Sequence, residues 1–170
     1  MADIAACDVM TDVMTKDVTT VTEDLSVEGM LQEIRETRYR GLPVVDANGK
    51  AIGLISQNDV LRGLAYLLGS GDLPADFQSG KRKAGIQLVE AAGKADRAVA
   101  VAQFLARPVK EFMTPSLESC SPDTPAADLC KTMVEKRIHR VVVLDGEGKV
   151  AGLVSATDLV RRFGEELGRG

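Results

Sequence analysis

The sequence predicts a mixed α+β fold: two copies of one βαββα unit related by a pseudo-two-fold axis, with a largely helical insertion between them. Three observations predict it. Residues 14–62 align with residues 113–161 at a constant offset of 99 and without a gap, and 14 of the 49 pairs are identical. The copies therefore share loop lengths as well as residues. Within each copy, β-branched runs alternate with apolar residues at helical spacing. The composition, 45% hydrophobic and 27% charged over 170 residues, is that of a globular chain and excludes wholesale disorder. Two copies are too few for a solenoid, which leaves a pair in which each copy covers the other's apolar face.

Each element has its own signal. Val18–Thr22 is a β-branched run and reads as a strand. Asp24 and Ser26 are both able to cap the helix that follows. Val27, Met30, Leu31 and Ile34 form one helical stripe, and Ala126, Leu129, Cys130 and Met133 repeat it in the second copy. Leu42–Val45 is the next strand. Asn48-Gly49, with Asp46 before it, predicts a hairpin in which both central residues take positive φ. Ala51–Ile55 returns as the partner strand. Asn58–Leu68 is helical, with Val60, Leu61, Leu64 and Leu68 assigned to one side. The first unit is set at 9–68 and the second at 108–167. In the insertion, 69–107, Gly69–Pro74 is a loop, Lys81-Arg82-Lys83 a solvated basic run, and Ala84–Ala92 a weak helix ending at Gly93. Asp96 is placed to cap another helix through Val99, Val101, Ala102 and Leu105, stopped by Pro108.

Charge and composition narrow the function. The net charge is −4, and residues 1–62 hold 6 basic against 11 acidic side chains. An acidic chain without tryptophan, with two Tyr and four Phe, has neither the basic footprint nor the stacking platform of a nucleic-acid binder. No apolar run approaches the roughly 20 residues of a membrane span, and no basic-then-apolar leader opens the chain. The expectation is a cytoplasmic protein that engages neither membrane nor nucleic acid. Cys7, Cys120 and Cys130 cannot all pair within one chain, and with His139 as the single histidine no Cys/His metal site is expected.

The segments Gly53–Asp59 and Gly152–Asp158 share the pattern Gly-h-h-Ser-x-x-Asp, where h is apolar. Ser56 and Ser155 end a strand, and Asp59 and Asp158 open a helix. The unpaired N–H groups of a helix start favour phosphate, which Ser56 and Ser155 can also approach as neutral donors. Asp59 and Asp158 would repel it and instead suit the paired hydroxyls of a ribose. The same spacing also describes a capping box that satisfies only the backbone. Both readings stand on pattern alone.

The repeat resembles the CBS domain, named from cystathionine β-synthase, and the whole looks like a tandem CBS pair, or Bateman module. The marks are Val13-Met14-Thr15 and Phe112-Met113-Thr114-Pro115, Leu42-Pro43-Val44-Val45-Asp46, and the two Gly-h-h-Ser-x-x-Asp segments. The likeness covers residues 9–62 and 108–162. It implies clefts between the two CBS units that take an adenosine-containing ligand (AMP, ADP, ATP or S-adenosylmethionine) as a regulatory ligand, with no catalytic cofactor. It also implies a homodimer of pairs and a regulated partner protein of unknown identity. Carried over, Asp59 and Asp158 bind ribose, Ser56, Ser155 and Thr157 face phosphate, and Thr15 and Thr114 lie on the lead-in strands that contact the nucleoside. His139-Arg140 matches a family pair that binds phosphate and reaches the other copy's Asp. The first copy has Arg40-Gly41 there, which makes Asp59, served by His139 and Arg140, the better phosphate site. Arg40 is left to serve the weaker one. The alternative is a dimerisation module with no physiological nucleotide. Catalysis is not expected, because no nucleophile–base or metal cluster is in sight.

Overall fold

The computed structural model describes residues 10–67, 97–115 and 117–168. The elements are α1 (Met10–Val13), β1 (Val21–Thr22), α2 (Val27–Thr37), β2 (Gly41–Val45), β3 (Ala51–Ser56), α3 (Gln57–Leu67), α4 (Arg97–Leu105), a 3₁₀ turn (Val109–Glu111), β4 (Ser119–Cys120), α5 (Ala126–Lys136), β5 (Arg140–Leu144), β6 (Val150–Ser155) and α6 (Ala156–Leu167). The sheets are β1-β2-β3 and β4-β5-β6. This is the expected strand–helix–strand–strand–helix order, twice. Among these helices none is long and apolar enough to cross a membrane.

The chain divides into two compact units, which exchange short segments relative to the sequence repeats. The Asp59 unit holds residues 19–47, 52–67 and 97–115, so it contains the segment leading into the second repeat. The Asp158 unit holds residues 10–18, 48–51 and 117–168.

In the Asp59 unit β1 runs parallel to β2, with Val21 opposite Val44 and Thr22 opposite Val45. β1 is shorter than the β-branched run predicted. β4 in the other unit is equally short, although Val142 there donates its N–H to the Glu118 carbonyl at 3.2 Å and its counterpart Pro43 has none to donate. α2 starts at Ser26, whose Oγ accepts from the Gly29 N–H at 3.1 Å, and buries Val27, Met30 and Ile34. These pack with Leu42, Val44, Ile55, Val60, Phe104, Val109 and Phe112 into one core. α2 ends at Arg38 in the left-handed conformation, φ 60°, and α5 ends the same way at Arg137, φ 53°.

The Asp158 unit repeats this plan. β4 is parallel to β5, β5 is antiparallel to β6, and Val13, Ala126, Leu129, Met133, Val141, Val143, Val154 and Leu159 form its core.

Two expectations are corrected. In the hairpins only the glycines take positive φ, Gly49 at 78° and Gly148 at 81°. The loop is longer than a two-residue turn: Asp145 N–H donates to the Lys149 carbonyl and Gly148 N–H to the Asp145 carbonyl. The Asp145 carboxylate accepts from the N–H groups of Lys149 and Glu147. Those bonds, that of Lys149 first, hold its pKa below the ordinary carboxylate range. A glycine after an ordinary turn, not two left-handed residues, closes it.

The second correction concerns α3. Leu61 is 61% exposed, whereas Val60 is buried and Leu64 is packed against the core. The covered face runs through Val60, Gly63 and Leu64 because α4 lies there. The expected helix through Val99 and Leu105 is α4, although Val99 itself is exposed. Leu68, the Ala84–Ala92 helix, the Lys81–Lys83 run and the Asp96 cap fall outside the described residues.

A β-carbon on Gly63 would stand 2.5 Å from the Phe104 ring. That ring is buried edge-on against Phe112, with centroids 4.8 Å apart. Gly63→Ala should therefore destabilise the chain by about 1–3 kcal/mol from overpacking, despite a helix-propensity gain of about 1 kcal/mol. Urea denaturation checks the sign: a more stable variant would show that α4 yields freely.

Candidate functional site

The two Ser-x-x-Asp segments sit where a buried strand becomes a helix. β3 and β6 bring their apolar residues Ile55 and Val154 into the cores, and the next residue, a serine, reaches the sheet's end. The Asp59 Oδ2 accepts from the Ser56 N–H at 2.9 Å and from the Ser56 hydroxyl at 2.6 Å. The Asp158 Oδ2 accepts the same pair from Ser155, at 2.9 and 2.6 Å. The Ser155 hydroxyl in turn accepts from the Asp158 N–H at 3.3 Å. This is a reciprocal capping box with aspartate in the glutamate position. Asp59 is 4% exposed and is the one polar residue buried among the described residues.

The basic residues come to the same corner of each unit through the backbone. The Arg40 carbonyl accepts from the Gln57 N–H at 3.1 Å, and the His139 carbonyl from the Ala156 N–H at 3.0 Å. Arg40 and His139 therefore each stand beside the helix start that follows their own copy's serine, and both are exposed. Arg140 pairs with Ser155 across β5 and β6. The expected service of Asp59 by His139 and Arg140 joins residues of different units; within one unit, the neighbour of Arg140 is Ser155. Thr157 is exposed in the first turn of α6.

Thr15 and Thr114 lie on short straps along the third strand of each sheet. Thr114 exchanges two backbone bonds with Leu54, at 2.8 and 3.0 Å, and Thr15 exchanges two with Leu153, at 2.9 and 3.0 Å. In the Asp59 unit the strap is anchored further back. Val109 N–H donates to the Leu25 carbonyl at 2.8 Å, Val27 N–H to the Arg107 carbonyl at 2.9 Å, and Lys110 Nζ meets Asp24 Oδ1 at 2.5 Å. Each unit thus assembles one Thr, a Ser–Asp pair and a basic residue from three separate stretches of chain.

Sequence reasoning missed Arg161, whose guanidinium donates to Asp158 Oδ1 at 2.9 Å. The available signal was its recurrence: Arg62 holds the equivalent place in the first copy. Cys120 and Cys130 are free thiols, and burial pushes both up in pKa, away from an activated thiolate. Cys7 lies outside the described residues.

A βαββα unit used twice, with a Ser–Asp closure at each strand-to-helix corner, defines a tandem two-unit module. The CBS domain family model matches residues 9–66 and 109–165, and the chain belongs to the CBS-domain family. Among curated relatives, it is 28% identical over 155 residues to the uncharacterized protein MJ1426 of Methanocaldococcus jannaschii, covering 88% of this chain and 87% of that one. It is 28% identical over 152 residues to the chloroplastic CBS domain-containing protein CBSX1 of Arabidopsis thaliana, covering 87% of this chain and 61% of that protein. Among solved structures, CBSX2 in complex with AMP aligns at a TM-score of 0.67 with 24% identity, covering 94% of this chain and 98% of that one. The CBS domain pair of MJ0100, in complex with 5′-methylthioadenosine and S-adenosyl-L-methionine, aligns at 0.64 with 21% identity, covering 95% and 99%.

The capping geometry has a consequence independent of any ligand. Asp158→Ala removes the acceptor of the Ser155 N–H and hydroxyl and should cost about 0.5–2 kcal/mol of stability. Chemical denaturation of the ligand-free protein measures it, and an unchanged midpoint would show that the aspartate is held without stabilising α6.

Proposed function

We propose that this chain is a regulatory module that binds an adenosine-containing nucleotide and acts on a partner protein. The observation that carries the reading is the repeated corner: an aspartate fixed at a helix start by its serine, with a basic residue beside it and a strap threonine on the adjoining strand. The held carboxylate keeps acceptor capacity for ribose hydroxyls, and the helix start favours phosphate. The nucleotides named with the CBSX2 and MJ0100 structures support the same ligand class. Asp59 and Asp158 take ribose in this reading. Ser56, Ser155 and Thr157, with Arg40, His139 and Arg140, take phosphate, and Thr15 and Thr114 take the nucleoside. The module is non-catalytic, works in the cytoplasm and pairs with a second copy of itself. A mass near that of one 18.1 kDa chain throughout a dilution series in light scattering would sink the pairing.

The second reading, an interaction module without a physiological nucleotide, has its own support. The Ser–Asp bonds already satisfy both groups as caps, and Leu61 and its repeat counterpart Val160 are 61% and 70% exposed. Ligand binding separates the two. A thermal-shift screen with AMP, ADP, ATP and S-adenosylmethionine should find a ligand that adds about 2.7 kcal/mol at one hundred times its Kd. Asp59→Ala should then weaken it by about 1.5–3 kcal/mol in calorimetry. No shift with any of them favours the second reading.

Arg140→Ala should weaken AMP and ATP more than adenosine, because only the phosphorylated ligands meet the guanidinium. Equal losses for all three would assign Arg140 to the fold.

A further inference from the structure

Each strap is laid against a glycine. Gly53 immediately precedes Leu54 on β3, and Gly152 immediately precedes Leu153 on β6. A β-carbon on Gly53 would stand 2.7 Å from the Thr114 carbonyl oxygen and 2.8 Å from the Met113 sulfur. One on Gly152 would overlap the Met14 side chain and stand 3.0 Å from the Thr15 carbonyl oxygen. Both glycines are buried. The same Met-Thr pair meets the same glycine in both copies, so the close approach belongs to the design of the unit.

We propose that Gly53 and Gly152 are positioning residues for nucleoside binding: their missing side chains let the Thr114 and Thr15 straps lie flat on the third strand, at the register that holds each threonine beside its own Ser–Asp corner. The inference rests on the nucleotide-binding reading above. The two positions differ in what blocks a side chain. At Gly53 the obstacle is a backbone carbonyl, and that oxygen is the acceptor of the Leu54 N–H. It can give way only if the strap lifts and the bond breaks. At Gly152 the sharper obstacle is the end of a flexible thioether, which can swing aside. Gly53→Ala should therefore displace its threonine more than Gly152→Ala does, although the sequence change is identical.

Calorimetry with adenosine and AMP tests this, with each glycine variant compared with a parent that keeps one aspartate. In an Asp158→Ala parent, Gly53→Ala should lower adenosine affinity about tenfold or more, corresponding to about 1.4 kcal/mol. Amide exchange should lose protection at Leu54 and Thr114 while Val44 stays protected. In an Asp59→Ala parent, Gly152→Ala should lower affinity about two- to fivefold, and adding Met14→Ala should restore it. Unchanged affinity in either folded glycine variant, or no rescue by Met14→Ala, would overturn the inference. If Gly53→Ala does not fold, the Gly152 arm with its rescue decides. Should the unmutated chain bind neither adenosine nor AMP, the nucleotide-binding reading fails instead, which is a different result from equal binding by parent and variant.

Discussion

The short bonds from the Ser56 and Ser155 hydroxyls to Asp59 and Asp158, 2.6 Å in each copy, fix the place where a buried strand turns into a helix. Everything proposed for the site is measured from that corner. A helix start leaves N–H groups without intrahelical partners, and an aspartate three residues on could fold back in several ways. Two donors from one serine leave it one orientation. The carboxylate is then both a cap and a fixed acceptor, which is why the capping and ribose-binding readings share the same atoms rather than competing for them.

Burial makes the closure consequential. A carboxylate as enclosed as Asp59 is costly unless its charge is met by good donors, and the serine supplies two of them within the same turn. The copies are not equivalent beyond this. Asp158 is more accessible and also engages Arg161, while the preceding basic stretch is Arg40-Gly41 in one copy and His139-Arg140 in the other. The repeated fold therefore carries two corners of unlike charge and exposure.

Much of this was legible in the residues. The gapless offset located both corners, and the stripes Val27–Met30–Ile34 and Ala126–Leu129–Met133 are buried as their spacing requires. Leu61 was misplaced because period alone does not say which face a later helix will cover; α4 and Phe104 decided that. The hairpin at Asn48-Gly49 departs from expectation because a residue able to take positive φ need not do so: Gly49 takes it and Asn48 does not. The exchange of straps was invisible. Thr114 pairs with Leu54 across 60 positions of chain, and a contact of that separation leaves no periodic trace.

That exchange bears on how such a chain can be divided. The strap on β3 opens the second repeat, and the strap on β6 opens the first. Cutting between the repeats would leave each fragment with its own three strands but with the lead-in segment that belongs to the other. Neither fragment would carry a Thr, Ser and Asp of one corner together. The smallest piece of chain that carries a complete corner is therefore the pair of repeats, not either one alone.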